Sequence, residues 1–188
     1  MFDTNWKKDL FTIPNLLSLF RLTLIPVYMT IYLEASTDTD HYLAGGVLAL
    51  SCLTDLLDGA IARRFNMVTD LGKLLDPLAD KATQLTLTLC LSLRYPILQP
   101  VMFMLIFKEG FQLFAGLRYL RSGLILPGAL PTGKFCTAVL FISLTVLVLF
   151  PNIPGSVVNV LAAADLTALS ISLLGYIFVF FGKFNPSI

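Results

Sequence analysis

At 188 residues the chain has the length of one ordinary domain, yet 56% of it is hydrophobic and only 13% charged, about half the charged share of a soluble domain. With a mean hydropathy of +0.82 and a net charge of +1, it is not a disordered chain, a coiled coil, a nucleic-acid binder or a large soluble enzyme. Six membrane spans would use about 120 residues and leave about 68 for loops and ends. The expectation is an all-α integral membrane protein with six transmembrane helices and short connections, forming a single membrane-embedded domain over residues 1–188.

In chain order, residues 1–10 are polar, with Phe2, Trp6 and Leu10 on one helical face beside Lys7 and Lys8. They read as an interfacial helix at the membrane surface or as a loose tail. Residues 11–33 are apolar, too long for a signal-peptide core and without a small-residue cleavage site, so they remain as the first span. Residues 34–41 read as a polar loop, 42–62 as the second span, 63–73 as a charged loop and 74–93 as the third span. A tight turn at 94–96 leads to the fourth span, 97–120, and a loop at 121–133 contains Gly and Pro. The fifth span is 134–150, a turn follows at 151–156, and the sixth is 157–181. Lys7, Lys8, Arg63, Arg64, Lys73, Arg118, Arg121, Lys134 and Lys183 fall on one side of this plan, and only Arg94 on the other. By the positive-inside rule, both termini and the 63–73 loop face the cytoplasm. Cys52, Cys90 and Cys136 sit singly in apolar runs and read as small membrane hydrophobes. His41 is the only histidine, so Ser-His-Asp chemistry has almost no support.

A charge inside a span costs about 2.5–3.5 kcal/mol on insertion scales, which makes acids there functional candidates. Asp55 and Asp58 lie at i, i+3 near the end of the second span, and Asp76 and Asp80 at i, i+4 at the start of the third. Each pair shares a helical face. A short loop makes the two helices antiparallel neighbours, so all four carboxylates can converge. Two such charges about 4 Å apart repel by about 4 kcal/mol at an effective dielectric near 20, which protons or bound cations must offset. Oxygen ligands without a nearby histidine favour Mg²⁺ or Mn²⁺ over zinc. The ligand count leaves room for two ions, an arrangement suited to displacement at phosphorus. Gly59 follows Asp58, Ala62 lies one turn on, and Gly72 precedes Asp76 by one turn, so the backbone can approach a ligand closely. Arg63 adds a cation for bridging phosphates. Together these describe a diphosphate site open to the cytoplasm. The plainer reading is helix-end salt bridges to Arg63, Arg64, Lys73 and Lys81, and the small residues between the pairs weigh against it. A protein of another class, an ion or metal transporter, also uses intramembrane acids, but near the bilayer centre and with repeat symmetry. Here the acids lie near one interface and no repeat is visible.

Read in order, Asp55-Leu-Leu-Asp58-Gly59-Ala-Ile-Ala62-Arg63, then Gly72, Asp76 and Asp80, the segment resembles the signature D-x2-D-G-x2-A-R-x8-G-x3-D-x3-D of the CDP-alcohol phosphotransferase family. The motif has no gap, and the six-span plan is similar to the family over almost the whole chain. The resemblance implies transfer of a phosphatidyl or related group from a CDP-activated donor to an alcohol, with release of CMP. It implies Asp55, Asp58, Asp76 and Asp80 as ligands of Mg²⁺ or Mn²⁺, Asp80 also as the general base, and Gly59, Ala62, Arg63 and Gly72 as the CDP site. The segment Ile13-Pro14-Asn15-Leu16-Leu17-Ser18 with Arg21, and Leu75-Asp76-Pro77-Leu78-Ala79-Asp80-Lys81, are most similar to phosphatidylglycerophosphate synthases. They are also similar to cardiolipin synthases of the same superfamily. The expected donor is CDP-diacylglycerol and the expected acceptor sn-glycerol-3-phosphate, with phosphatidylglycerol as the alternative acceptor. An acceptor bearing a phosphate needs cations, and Lys108, Arg118 and Lys134 are the candidates. Gly133-Lys134 is similar to a Gly-Lys pair of the synthases, whereas Lys108-Glu109 stands where Arg-Glu is expected, and lysine lacks the bidentate fork. Arg121 reads as a positive-inside loop residue. Asp165 reads as a polar interhelical contact, a boundary residue of a later-starting span or a feature of a homodimer, with a plain structural role preferred.

Overall fold

The computed structural model describes residues 12–65, 69, 71–122 and 130–184, without the side chains of Leu56, Ala62, Arg63, Lys73, Leu74, Leu120, Lys183 and Phe184. The expected interfacial helix at residues 1–10 lies outside the described residues. Regular structure among the described residues is entirely helical: α1 (Ile13–Glu34), α2 (Asp38–Arg64), α3 (Gly72–Arg94), α4 (Gln99–Arg121), α5 (Pro131–Leu149) and α6 (Gly155–Phe184), with a 3₁₀ turn at Pro96–Leu98. The six helices fall where the hydropathy breaks predict them.

Among the described residues, five stretches are long and apolar enough to cross a membrane: Ile13–Glu34, Asp38–Ile61, Pro96–Tyr119, Pro131–Leu149 and Gly155–Gly182. The remaining helix, α3, has 23 residues, and at 1.5 Å each it reaches about 34 Å. Its length suffices, but Lys73, Asp76, Asp80 and Lys81 crowd its first half, so composition sets it apart. The solvent pattern is that of a membrane protein. Phe103, Phe107, Phe135, Ile142 and Phe178 are exposed, while Arg21, Asp58, Lys108 and Asp165 are buried. Apolar side chains outside and charges inside suit lipid as the surrounding medium.

Contacts divide the chain into two compact units, Met1–Cys90 and Leu91–Ile188. In the first unit, Pro14 opens α1 without the loss of a helical hydrogen bond, because the first N–H groups have no partner within the helix. The second proline, Pro26, lies inside α1 and removes one N–H from its ladder. A polar loop was expected over residues 34–41, but only 35–37 are non-helical. The reason is a capping box. Thr37 Oγ1 accepts from the Asp40 N–H at 3.3 Å, and the Asp40 carboxylate accepts from the Thr37 N–H at 2.9 Å. So short a connection makes α1 and α2 antiparallel neighbours, and they lie close together. Leu24 and Tyr28 of α1, Leu48 of α2 and Thr83 and Leu87 of α3 line one small pocket, so the three helices meet there.

In the second unit, α6 packs against both α4 and α5. Leu98, Val101, Leu105, Leu140, Leu144 and Leu169 are fully buried there. The turn before α4 and the turn between α5 and α6 are tied together, since Arg94 Nη2 and the Tyr95 hydroxyl each donate to the Pro151 carbonyl at 3.1 Å. Gly133 of α5 has no Cβ where Tyr176 of α6 approaches, and an added Cβ would lie 2.7 Å from the Tyr176 hydroxyl.

Candidate active site

The two aspartate pairs do not meet by direct contact between α2 and α3 alone. They are gathered from α1. Arg21 is 2% exposed, and its Nη2 contacts Asp55 Oδ1 at 2.6 Å and Asp58 Oδ2 at 2.5 Å. Its Nη1 contacts Asp80 Oδ1 at 2.6 Å. One turn earlier on α1, the Ser18 hydroxyl donates to Asp76 Oδ1 at 2.6 Å, with Asp58 Oδ2 at 3.4 Å. All four predicted carboxylates therefore belong to one cluster, two reached from α2 and two from α3.

The carboxylates differ in access. The side chain of Asp58 is 4% exposed, whereas those of Asp55 and Asp80 are 46% and 59% exposed. The cluster has a sealed floor at Arg21 and Asp58 and an open rim at Asp55 and Asp80. Among the described residues, no three His, Cys, Asp or Glu side chains are grouped as a metal-ligand set, and Asp55, Asp58 and Asp80 each turn an oxygen to the guanidinium. The donor chemistry nonetheless fits a hard divalent cation: the acids of the cluster offer carboxylate oxygens, and no histidine or cysteine is among these contacts.

Gly72 is buried at the start of α3. Its N–H donates to Thr69 Oγ1 at 3.0 Å, and Asn15 Nδ2 of α1 donates to the same oxygen at 2.9 Å. An added Cβ at Gly72 would lie 2.6 Å from Asn15 Oδ1. The near neighbour of this glycine is thus Asn15, an approach distinct from the ligand contact expected there. Gly59 lies in α2 directly after Asp58. The side chains of Ala62 and Arg63 lie outside the described residues.

The three candidate acceptor cations all belong to the second unit. Lys108 is buried and its Nζ pairs with Glu109 Oε1 at 2.8 Å. Arg118 is exposed in the last turn of α4, and Lys134 is exposed in the first turn of α5. Asp165 is fully buried in α6. His41 packs its ring on Tyr32, 5.4 Å between centroids, away from any predicted chemistry. None of the three cysteines forms a disulfide.

Sequence reasoning missed the part played by α1. Asn15, Ser18 and Arg21 recur at i, i+3 and i+6, which places them on one helical face. An arginine within an otherwise apolar span is the same kind of signal that singled out the aspartates.

The family model for CDP-alcohol phosphatidyltransferase matches residues 11–181, through both units. The CDP-diacylglycerol--glycerol-3-phosphate 3-phosphatidyltransferase of Aquifex aeolicus (strain VF5) is 36% identical over 172 residues, 87% of this chain and 93% of its own length. The protein of the same name from Bacillus subtilis (strain 168) is 34% identical over 126 residues, 61% of this chain and 64% of its own. The cardiolipin synthase (CMP-forming) of Rattus norvegicus is 46% identical over 112 residues, 58% of this chain, and the chain spans only 35% of that protein's length. With the motif aspartates gathered in one cluster on a helical membrane protein, and a match that runs almost end to end, the chain belongs to the CDP-alcohol phosphatidyltransferase family.

Proposed function

We propose that the protein transfers the phosphatidyl group of CDP-diacylglycerol to sn-glycerol-3-phosphate, giving phosphatidylglycerophosphate and CMP. The observation that carries this reading is the gathering of Asp55, Asp58, Asp76 and Asp80 into one cluster with an open rim. The acceptor is chosen on the Aquifex relative, which is matched over nearly its whole length and named for glycerol-3-phosphate. The higher identity to the rat cardiolipin synthase supports a second reading, with phosphatidylglycerol as acceptor.

In this reading Asp55, Asp58, Asp76 and Asp80 hold two divalent cations, Mg²⁺ or Mn²⁺. Bound there, the cations would supply positive charge against the diphosphate and the departing CMP. Asp80, the most exposed of the three carboxylates that Arg21 contacts, takes the proton of the acceptor hydroxyl. The acceptor oxygen then forms a bond to the phosphatidyl phosphorus, and the bond from that phosphorus to the bridging oxygen of CMP breaks. Gly59, Ala62, Arg63 and Gly72 line the donor's diphosphate. Both termini and the 63–73 segment face the cytoplasm, from the distribution of Lys and Arg.

The test is CMP release by the purified protein with CDP-diacylglycerol and each acceptor in turn. Turnover with glycerol-3-phosphate, abolished by EDTA and restored by Mg²⁺ or Mn²⁺, is the expected result. Use of phosphatidylglycerol with no turnover on glycerol-3-phosphate would replace the first reading with the second, and full activity in EDTA would remove the metal from both.

A further inference from the structure

We propose that α1 sets the geometry of the carboxylate cluster, with Arg21 as its positioning residue and Ser18 as its second contact, so that the four cation-binding side chains are held near one another before a cation arrives. This deepens the metal reading above and rests on it.

The argument starts from the cost of the parts. A guanidinium buried to 2% exposure inside an apolar bundle persists only when it is paired and hydrogen-bonded. Here its two terminal nitrogens reach three carboxylates, and its Nε makes no hydrogen bond. The fork does two different things. Nη2 clamps Asp55 and Asp58, neighbours on one face of α2, while Nη1 reaches Asp80 on α3. The planar guanidinium therefore fixes the distance between carboxylates of separate helices, which a single ammonium cannot do. Ser18 adds Asp76, which Arg21 does not contact. Four carboxylates and one guanidinium still leave three negative charges, so the assembled cluster attracts divalent cations.

An opposite role is conceivable: Arg21 as a plain competitor that a cation must displace. The two roles predict opposite signs. Removing a competing positive charge tightens cation binding, whereas removing the clamp weakens it. Arg21→Lys separates geometry from charge, because it keeps the charge and loses the fork.

The experiment uses the full chain purified in detergent, with Mn²⁺ alone as the probe and the signal of free Mn²⁺ in electron paramagnetic resonance as the readout. Monodispersity and thermal unfolding confirm that each variant is folded. Arg21→Lys and Arg21→Gln should each bind Mn²⁺ at least tenfold more weakly than the parent. Ser18→Ala, a milder change that carries the test should the arginine variants not fold, should bind at least threefold more weakly. Parent-like or tighter binding in folded variants overturns the positioning role and leaves the metal reading standing. A parent that binds no Mn²⁺ overturns both.

Discussion

Asp80 and Asp58 carry the same functional group in opposite surroundings, and the difference sets what each can do. Asp80 is 59% exposed and Asp58 4% exposed, although both touch Arg21. Only the exposed one can meet an incoming hydroxyl. Asp80→Asn should lower kcat by about 10²- to 10⁴-fold, the usual worth of a general base, while binding of CDP-diacylglycerol survives. Asp58→Asn should also weaken cation binding, because it removes an oxygen from the cluster floor. Turnover by CMP release and donor binding by equilibrium titration check the pair, and near-parent kcat in Asp80→Asn would refute the base assignment. Gly72 supports a second prediction at this scale. A methyl group there would collide with the Asn15 side chain, itself buried and held by Thr69. Gly72→Ala should destabilise the protein by about 1–3 kcal/mol, the usual cost of overpacking, and Asn15→Ala in the same chain should recover part of it. Thermal unfolding of the single and double variants reads both numbers. The aspartates and Gly72 were legible because their types and spacing are unusual in an apolar span. Arg21 carried the same signal, but no sequence spacing tells which carboxylates a residue on another helix will meet. That depends on how α1 lies against α2, which only the packing settles.

Helix positions were legible because apolar runs of about 20 residues leave little freedom in where a membrane helix lies. Their ends were less so. The α1–α2 connection came out shorter than expected because Thr37 and Asp40 form a capping box whose chemistry hydropathy does not record. Thr37→Ala removes the side-chain acceptor for the Asp40 N–H, and also a hydroxyl that donates to Asp40 Oδ2 at 2.8 Å. The expected cost is about 1 kcal/mol, localised to the first turn of α2. Hydrogen exchange should speed up at residues 38–41 and stay unchanged near the carboxylate cluster, some four turns away, and uniform acceleration along α2 would contradict the local reading. For α3 the sequence gives length and the charged half together, but it does not say how the charge is accommodated. The answer is that Asp76 and Asp80 reach Ser18 and Arg21 of α1, so both acids of α3 have a polar partner in the protein.

For the whole molecule, α3 is the helix on which the topology turns, because its composition sets it apart from the other five described helices. Its charged end holds the cluster, its last residues are Leu91–Arg94, and it is long enough to span. Partnering by α1 lowers the cost of carrying Asp76 and Asp80 into the membrane interface, and the proposed cytoplasmic placement of both termini calls for an even number of crossings. The second unit supplies a reporter. Arg94, the last residue of α3, and Tyr95, just after it, are bonded to Pro151, so Asn152 lies on the same face of the membrane as the end of α3. If α3 crosses, that face is the one reached by the α1–α2 connection. If it does not, Asn152 lies on the opposite face. With the three native cysteines replaced, single cysteines at Asp38, Phe65 and Asn152, all exposed positions, can be treated with a membrane-impermeant thiol reagent on intact cells. Asp38→Cys and Asn152→Cys should label, and Phe65→Cys should be shielded until the membrane is opened. Labelling at Asp38 with shielding at Asn152 would mean that α3 turns back without crossing. Labelling at Phe65 with shielding at Asp38 would invert the whole arrangement and put the carboxylate cluster on the outer face.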